Sequence, residues 1–397
     1  MIFKRKTIRK FWLNLHLSIA LSVGFIFVIL GLSGSFNVFH WELEELGLPE
    51  VKHERNAQPL DLDALMERIH HRHPQKNGRW LLFMPGYERD YLWVVYPKPE
   101  EKVGKFFTPL RLQINPYSGE IAGGHYWGDS LWTLVYSLHA SLLTEPFFGA
   151  EISRKAFDAI CFLGVLLMLS VGSGLYLWWP SPGKICQALV IKPRASLPRF
   201  IYDLHKVTGA YFLVILFVLA FTGFSFAYKD YLMPLVSPFT KVEALHFHDP
   251  ENLSSRAGTT HPTKPAISIM QAVAIADRVF PYGELRWLAT PDGPGGVYAI
   301  EKRQAGEANR RRPRSKVWID QYSGEILAVE DPQLFSAGET FFNLMWPLHN
   351  GEAFGLPGRV LWCMTGLAPL ILYVTGIMRW LQKRKAAKIK HRSPDGA

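Results

Sequence analysis

The sequence predicts a membrane α-helical bundle of four transmembrane helices plus two small α+β modules, built as an internal duplication. Three observations carry this. Long apolar runs alternate with long polar segments, so a mean hydropathy of +0.04 averages two different populations. Basic residues collect in the same three short flanks. A five-residue motif occurs twice, in matching surroundings.

An apolar run of about 20 residues is long enough to cross a bilayer, and inside lipid such a run satisfies its backbone as a helix. Four are present, from about Phe11 to Phe39, Ala156 to Trp179, Val207 to Tyr228 and Val360 to Trp380. The chain therefore divides into a start and first span (1–40), a first module (41–128), a His-bearing helix at the membrane surface (129–152) and a second span (153–180). A short loop follows (181–202), then a third span (203–229), a second module (230–336), a second His-bearing helix (337–355), a fourth span (356–381) and a tail (382–397). Lys4, Arg5, Lys6, Arg9 and Lys10 precede the first span. Lys184, Lys192, Arg194 and Arg199 lie between the second and third, and Arg379, Lys383, Arg384, Lys385, Lys388 and Lys390 follow the fourth. Short basic flanks stay cytoplasmic, which puts both termini inside and both modules outside. The first run has a basic start but is too long for a cleaved leader, and no clean small-x-small site follows.

The formal charge of +10 implies no nucleic-acid partner, because those cytoplasmic flanks hold much of the excess. The cysteines, Cys161, Cys186 and Cys363, leave the modules without a disulfide framework. Neither CxxC nor CxxCH occurs, which argues against zinc and against covalently attached c-type haem.

Tyr117-Ser-Gly-Glu-Ile121 recurs as Tyr322-Ser-Gly-Glu-Ile326. Each follows a strand-like run, Leu110 to Ile114 or Lys316 to Ile319, and reads as a hairpin turn into another strand. Upstream stand helix-like stretches, Leu60 to His71 and Ile267 to Phe280. Each module is therefore expected to be a helix with three or four antiparallel strands. The spans repeat too: Phe11-Trp-Leu-Asn-Leu-His16 aligns with Phe200-Ile-Tyr-Asp-Leu-His205, Gly34 with Gly223, Cys161 with Cys363, Gly174 with Gly376 and Trp178 with Trp380. Two spans per unit make the repeats parallel, related by a pseudo-twofold along the membrane normal.

That symmetry filters the 14 histidines. His53, His70, His71, His73, His246, His248, His261 and His391 lie in polar stretches. His40 aligns with Lys229, and His125 has no aligned partner. Two symmetric pairs survive: His16 with His205 near the cytoplasmic ends of their spans, and His139 with His349 just before the returning spans. An ionisable residue in a span faces the bundle interior and carries function. Two imidazoles approaching an axis from opposite sides have the geometry of a bis-histidine b-type haem. The expectation is two non-covalent b haems, ligated by His16, His205, His139 and His349, forming a relay across the membrane. Pairing of His16 with a histidine of another helix stays open, as does the plainer reading of each histidine as an interfacial hydrogen-bonder. Arg154 and Arg359, at the outer ends of the second and fourth spans, are candidate partners for haem propionates or snorkelling cations. Gly24, Gly31, Gly34, Gly172, Gly174 and Gly223 read either as helix-packing positions or as room for a flat macrocycle.

The order of span, Tyr-Ser-Gly-Glu module and His-bearing return, with Leu15-His16, Asp203-Leu-His205 and Leu348-His349, resembles the PepSY-associated transmembrane proteins over about residues 5–385. The resemblance implies an iron-regulated protein of the bacterial inner membrane with periplasmic modules, similar to the dihaem ferric-siderophore reductases. Such a protein moves electrons outward through the lipid bilayer to a ferric siderophore and releases Fe(II). No Gly-x-Gly-x-x-Gly follows a strand, so a cytoplasmic reductase, a diffusible reductant or quinol would be the electron donor. The substrate would lie between the modules and the outer histidines, near Trp80, Tyr87, Tyr91, Trp93, Tyr126 and Trp127. The basic run Arg310 to Lys316 is either an anion attractor or a solvated loop. Two rival classes remain: a haemless anchor whose PepSY modules bind or inhibit periplasmic peptidases, and a siderophore or peptide permease. The first predicts activity in the outer modules alone, and the second predicts a polar path through spans that carry almost no charge.

Overall fold

The computed structural model describes residues 2–51, 60–86, 89–102, 105, 108–242, 253–255 and 266–392. The first half runs α1 (Ile2–Val38), α2 (His40–Glu45), α3 (Leu62–Arg72), β1 (Leu81–Phe83), β2 (Leu92–Tyr96), β3 (Leu110–Ile114), β4 (Ile121–Tyr126), α4 (Leu131–Ser141) and α5 (Glu145–Trp178). After α6 (Ile185–Ala188) the second half runs α7 (Leu197–Val236), α8 (Ile269–Val279), β5 (Glu284–Ala289), β6 (Val297–Arg303), β7 (Ser315–Asp320), β8 (Ile326–Glu330), α9 (Ala337–Asn343), α10 (Met345–His349), α11 (Gly355–Thr365) and α12 (Ala368–Arg392).

Among the described residues, four helical stretches are long and apolar enough to cross a membrane: Lys6–Val38, Glu145–Trp178, Leu197–Val236 and Glu352–Ala387. The last is not one helix. Pro369 lacks an N–H and its ring crowds the carbonyl four residues back, that of Thr365, so α11 ends there and α12 restarts after Gly366 and Leu367. The four stretches form a ring in which α1 packs on α5 and α12, and α7 packs on the same two, leaving α1 and α7 on opposite sides. Two crossings are close enough to exclude a side chain. A Cβ on Gly31 would stand 2.6 Å from the Gly366 carbonyl, and one on Gly164 would run into the Ala220 carbonyl. Ser35 fastens the first crossing by donating to the Cys363 carbonyl at 2.7 Å.

The two expected modules share a single eight-stranded antiparallel sheet, ordered β4-β3-β2-β1-β5-β6-β7-β8. Its seam is β1 on β5, with Leu82 opposite Leu288 and Phe83 opposite Trp287. Each side contributes one helix and four strands. Leu65, Met66 and Ile69 of α3 and Ala272, Val273 and Ala276 of α8 bury one face of the sheet against Leu82, Val94, Leu112, Leu288, Ile300 and Val317. The helices are fixed by their ends. Asp61 caps α3, Ser268 and Gln271 form a capping box on α8, and Asp63 of α3 accepts from the Ile269 and Met270 amides at the start of α8, at 2.7 and 3.1 Å. The opposite face carries Phe83, Trp93, Val95 and Trp318 and meets Trp41 of α2.

Both Tyr-Ser-Gly-Glu-Ile motifs make the same turn. The Asn115 side chain accepts from the Tyr117 and Ser118 amides, Asp320 does so from Tyr322 and Ser323, and Gly119 and Gly324 take φ near +70°. The ladder slips at Gln113/Ile114 on one side and at Trp318/Ile319 on the other.

Candidate functional site

His16 leaves α1 and His205 leaves α7, and they meet across the ring at its loop-side end with centroids 6.4 Å apart. At the sheet-side end His139 of α4 and His349 of α10 meet at 6.2 Å. The structure therefore pairs the four histidines as the sequence pattern does, each pair drawing one member from each half of the chain.

Every one of the four Nδ1 atoms is tied to a neighbouring helix. His16 Nδ1 lies 3.0 Å from the Ser170 carbonyl and 3.1 Å from Ser173 Oγ on α5. His139 Nδ1 lies 2.9 Å from the Leu30 carbonyl and 3.2 Å from Ser33 Oγ on α1. His205 Nδ1 lies 3.0 Å from Thr375 Oγ1, with the Leu372 carbonyl as backbone acceptor, and His349 Nδ1 lies 2.9 Å from Thr222 Oγ1, with the Leu219 carbonyl. Each hydroxyl donates backwards to a carbonyl of its own helix: Ser33 to Ile29, Thr222 to Val218, Thr375 to Ile371 and Ser173 to Ser170. With its proton so committed, the hydroxyl oxygen accepts. Both neighbours of Nδ1 are then acceptors, so Nδ1 carries the hydrogen and Nε2 keeps its lone pair. Among the described residues Nε2 has no protein partner in any of the four.

The residue after each hydroxyl is a glycine against the ring. A Cβ at Gly174 or Gly376 would stand 3.4 Å from Cε1 of His16 or His205, and at Gly34 or Gly223 it would stand 3.0 or 3.3 Å from Cε1 of His139 or His349. The Ser/Thr-Gly dipeptides 33–34, 173–174, 222–223 and 375–376 thus orient all four imidazoles. Their hydroxyls went unread in the sequence, although the dipeptide recurs at each place.

The pairs suit a metal that brings its own equatorial ligands. Metal–imidazole bonds of about 2 Å, with each ring centroid about 1 Å behind its nitrogen, set two opposed imidazoles roughly 6 Å apart. Both observed separations match. A bare ion wants further ligands, and among the described residues no group of three or more His, Cys, Asp or Glu side chains is placed to hold one. Pairs that leave the rest of the coordination sphere open therefore fit haem. Along α1 the two sites are separated by about 16 residues, or roughly 24 Å of helix.

The other candidates go elsewhere. Arg154 is exposed on α5. Arg359 is buried, donates to the Val38 carbonyl at 2.7 Å and to Glu42 at 2.5 Å, and lies over the Phe39 ring. Trp80 and Tyr126 belong to the helix-covered face of the sheet, Tyr91 and Trp93 to the opposite face. Tyr87 lies outside the described residues. The basic run is no solvated loop: Arg311, Arg314 and Lys316 are buried and pair with Glu352, Glu330 and Glu301 at 3.6, 2.9 and 3.2 Å.

His40 and His125, unmatched in the sequence, meet at one carboxylate. Glu44 lies 3.3 Å from Nε2 of each and 2.7 Å from Arg111 Nη1. Burial alone would raise the Glu44 carboxyl, but the close His125 ring and the Arg111 charge outweigh it and hold it below its ordinary range. Burial pushes His40 down to about 3 against the pull of Glu44, so its ring is neutral. The Arg111 guanidinium is stacked among Trp41, Trp93 and Trp127, 4.7, 4.2 and 4.9 Å from their ring centroids.

A family model described as PepSY-associated TM region matches residues 13–383. No curated protein matches the chain.

Proposed function

The chain belongs to the PepSY-associated transmembrane family, and from that premise we propose that it is a dihaem b-type oxidoreductase of the bacterial inner membrane that reduces ferric siderophores in the periplasm. The observation that carries this reading is the pair of histidine pairs, 6.4 and 6.2 Å apart, with every Nδ1 anchored and every Nε2 left to ligate. In this reading the halves are parallel repeats, the termini are cytoplasmic, the sheet is periplasmic, and the bilayer surrounds α1, α5, α7 and the α11–α12 pair.

His16 and His205 would hold one haem and His139 and His349 the other. A bound haem supplies one-electron exchange between Fe(III) and Fe(II). The protein's part is orientation and insulation. Carbonyl–imidazole bonds of this kind fix ring and tautomer and raise ligand basicity, and the apolar spans keep water from the path between the sites. The donor is a cytoplasmic reductase, a diffusible reductant or quinol. The acceptor is a ferric chelate, whose oxygen donors grip Fe(III) far more tightly than Fe(II), so that one electron loosens the metal.

The test is spectroscopic. Protein purified in mild detergent from haem-replete cells should show a low-spin b-type α-band on dithionite reduction. A pyridine haemochrome assay should count two haems per chain, one for each histidine pair. Alanine at His16 or His205 should remove one and alanine at His139 or His349 the other. A folded, colourless protein sinks the reading and turns attention to peptidase partners of the sheet.

A further inference from the structure

We propose that His125, Glu44 and His40 form a proton relay that carries one proton from the outer aqueous side to the neighbourhood of the His139–His349 pair as an electron arrives there. This rests on the haem reading above, and it assigns a task to residues which that reading leaves idle.

The geometry is a chain from solvent to interior. The His125 side chain is 20% exposed, the His40 side chain 5%, and Glu44 between them 1%. One carboxylate oxygen faces each ring, at 3.3 Å on either side. At its inner end the His40 ring packs against Trp127 and Tyr136, at 5.6 and 5.7 Å. Tyr136 lies one helical turn before His139 on α4, so the relay stops one side chain short of the outer pair.

Charge fits this role. The titratable groups that act on His40 are Glu44 on its own helix, Arg111 and His125 from the sheet and Arg311 from the segment before β7, and Tyr136 from α4 packs on its ring. Arg311 and Arg359 are already matched by Glu352 and Glu42. That leaves the Glu44 carboxylate against the Arg111 guanidinium, with the neutral His40 ring beside them. An electron added nearby makes a proton on this unit favourable; without the electron, burial keeps the His40 ring neutral.

The two halves differ at this place. In the same register His40 is replaced by Lys229, Glu44 by Met233, Arg111 by Lys316 and His125 by Glu330. The second half therefore keeps fixed charges, with Arg314 on Glu330 and Lys316 on Glu301. The ligands are symmetric and the proton chemistry is one-sided.

The step balances. With haem held by the two histidine pairs, one electron would be passed from the inner pair to the outer, and one proton would move from external water through His125 and Glu44 to His40. The electron would go on to reduce the chelated iron from Fe(III) to Fe(II), and the proton would go to a ligand oxygen freed from the metal.

Redox titration of the full-length haem-loaded protein over a range of pH tests the relay. Electron arrival strengthens proton binding, so the outer midpoint potential should rise as pH falls, by up to about 59 mV per tenfold change in proton concentration. The step belonging to the outer site is the one lost in His139→Ala. His40→Gln should abolish this dependence while both haems remain, and Lys229→Gln should preserve it. A pH-independent outer potential in the native protein overturns the relay but leaves the dihaem reading standing, as does a slope unchanged in His40→Gln. A protein without haem overturns the reading beneath it. Should His40→Gln fail to fold, proton uptake by the native protein on reduction in weak buffer decides. Close to one proton per outer electron supports the relay, and none overturns it.

Discussion

At the scale of single residues, the site is four copies of one arrangement: an imidazole, a backbone carbonyl, a hydroxyl and a glycine. The hydroxyl is the testable member. Thr222→Val keeps the shape but removes the oxygen beside His349 Nδ1, and should weaken haem retention at the outer site by roughly 10- to 100-fold. Thr222→Ser should restore it, and haem content after dilution into apomyoglobin measures both. The histidines were legible in the sequence because duplication filtered them from the others. Gly34, Gly174 and Gly223 were visible too, but a glycine in a span reads as helix packing, and a Ser or Thr beside it reads as nothing in particular. The His40–Glu44–His125 set, with Arg111, was hidden for another reason: its members come from a helix and two strands that only tertiary folding brings together.

At the scale of elements, helix and strand positions followed their local signals closely. The Tyr-Ser-Gly-Glu turns follow Asx geometry, and the soluble helices begin at side-chain caps. The interruption between α11 and α12 was missed although Pro369 was in view, because hydropathy alone runs smoothly through it. One polar tie should show in stability. Glu101, in the single turn Glu100–Lys102, accepts from Lys76 at 2.6 Å and from the Tyr126 hydroxyl, and these bonds bring its carboxyl down to about 2. A depressed carboxylate stabilises the fold above its ordinary value and loses that contribution as pH falls through the folded one. The melting temperature of the sheet should therefore drop between about pH 4.5 and 2, by less in Glu101→Gln than in the native protein, as followed by circular dichroism. The effect should be small, since Glu101 is partly exposed.

At the scale of the whole molecule, one sheet spans both halves and two histidine pairs cross between them. That the modules would merge at β1 and β5 was not legible, because β1 is three residues long and its partner lies some 200 positions away. The loop 181–196 carries none of the ligands or their anchors, so covalent continuity there should be dispensable. Two fragments divided in that loop and made together should assemble and show the same reduced spectrum as the intact chain. Either fragment alone, kept monomeric, supplies one of the two histidines of each pair and should give no low-spin band. A monomeric half that is fully coloured by itself would contradict the pairing.

A pair of histidines shared between the halves also bears on inheritance. Under the proposed duplication, a single-half ancestor could have built both pairs only as two identical chains, with every substitution appearing twice. Joining the copies would release them from that identity wherever a residue serves one side only, as at His40 and Lys229. It would leave them bound to each other at the four histidines, where drift in either copy would break a pair that belongs to both.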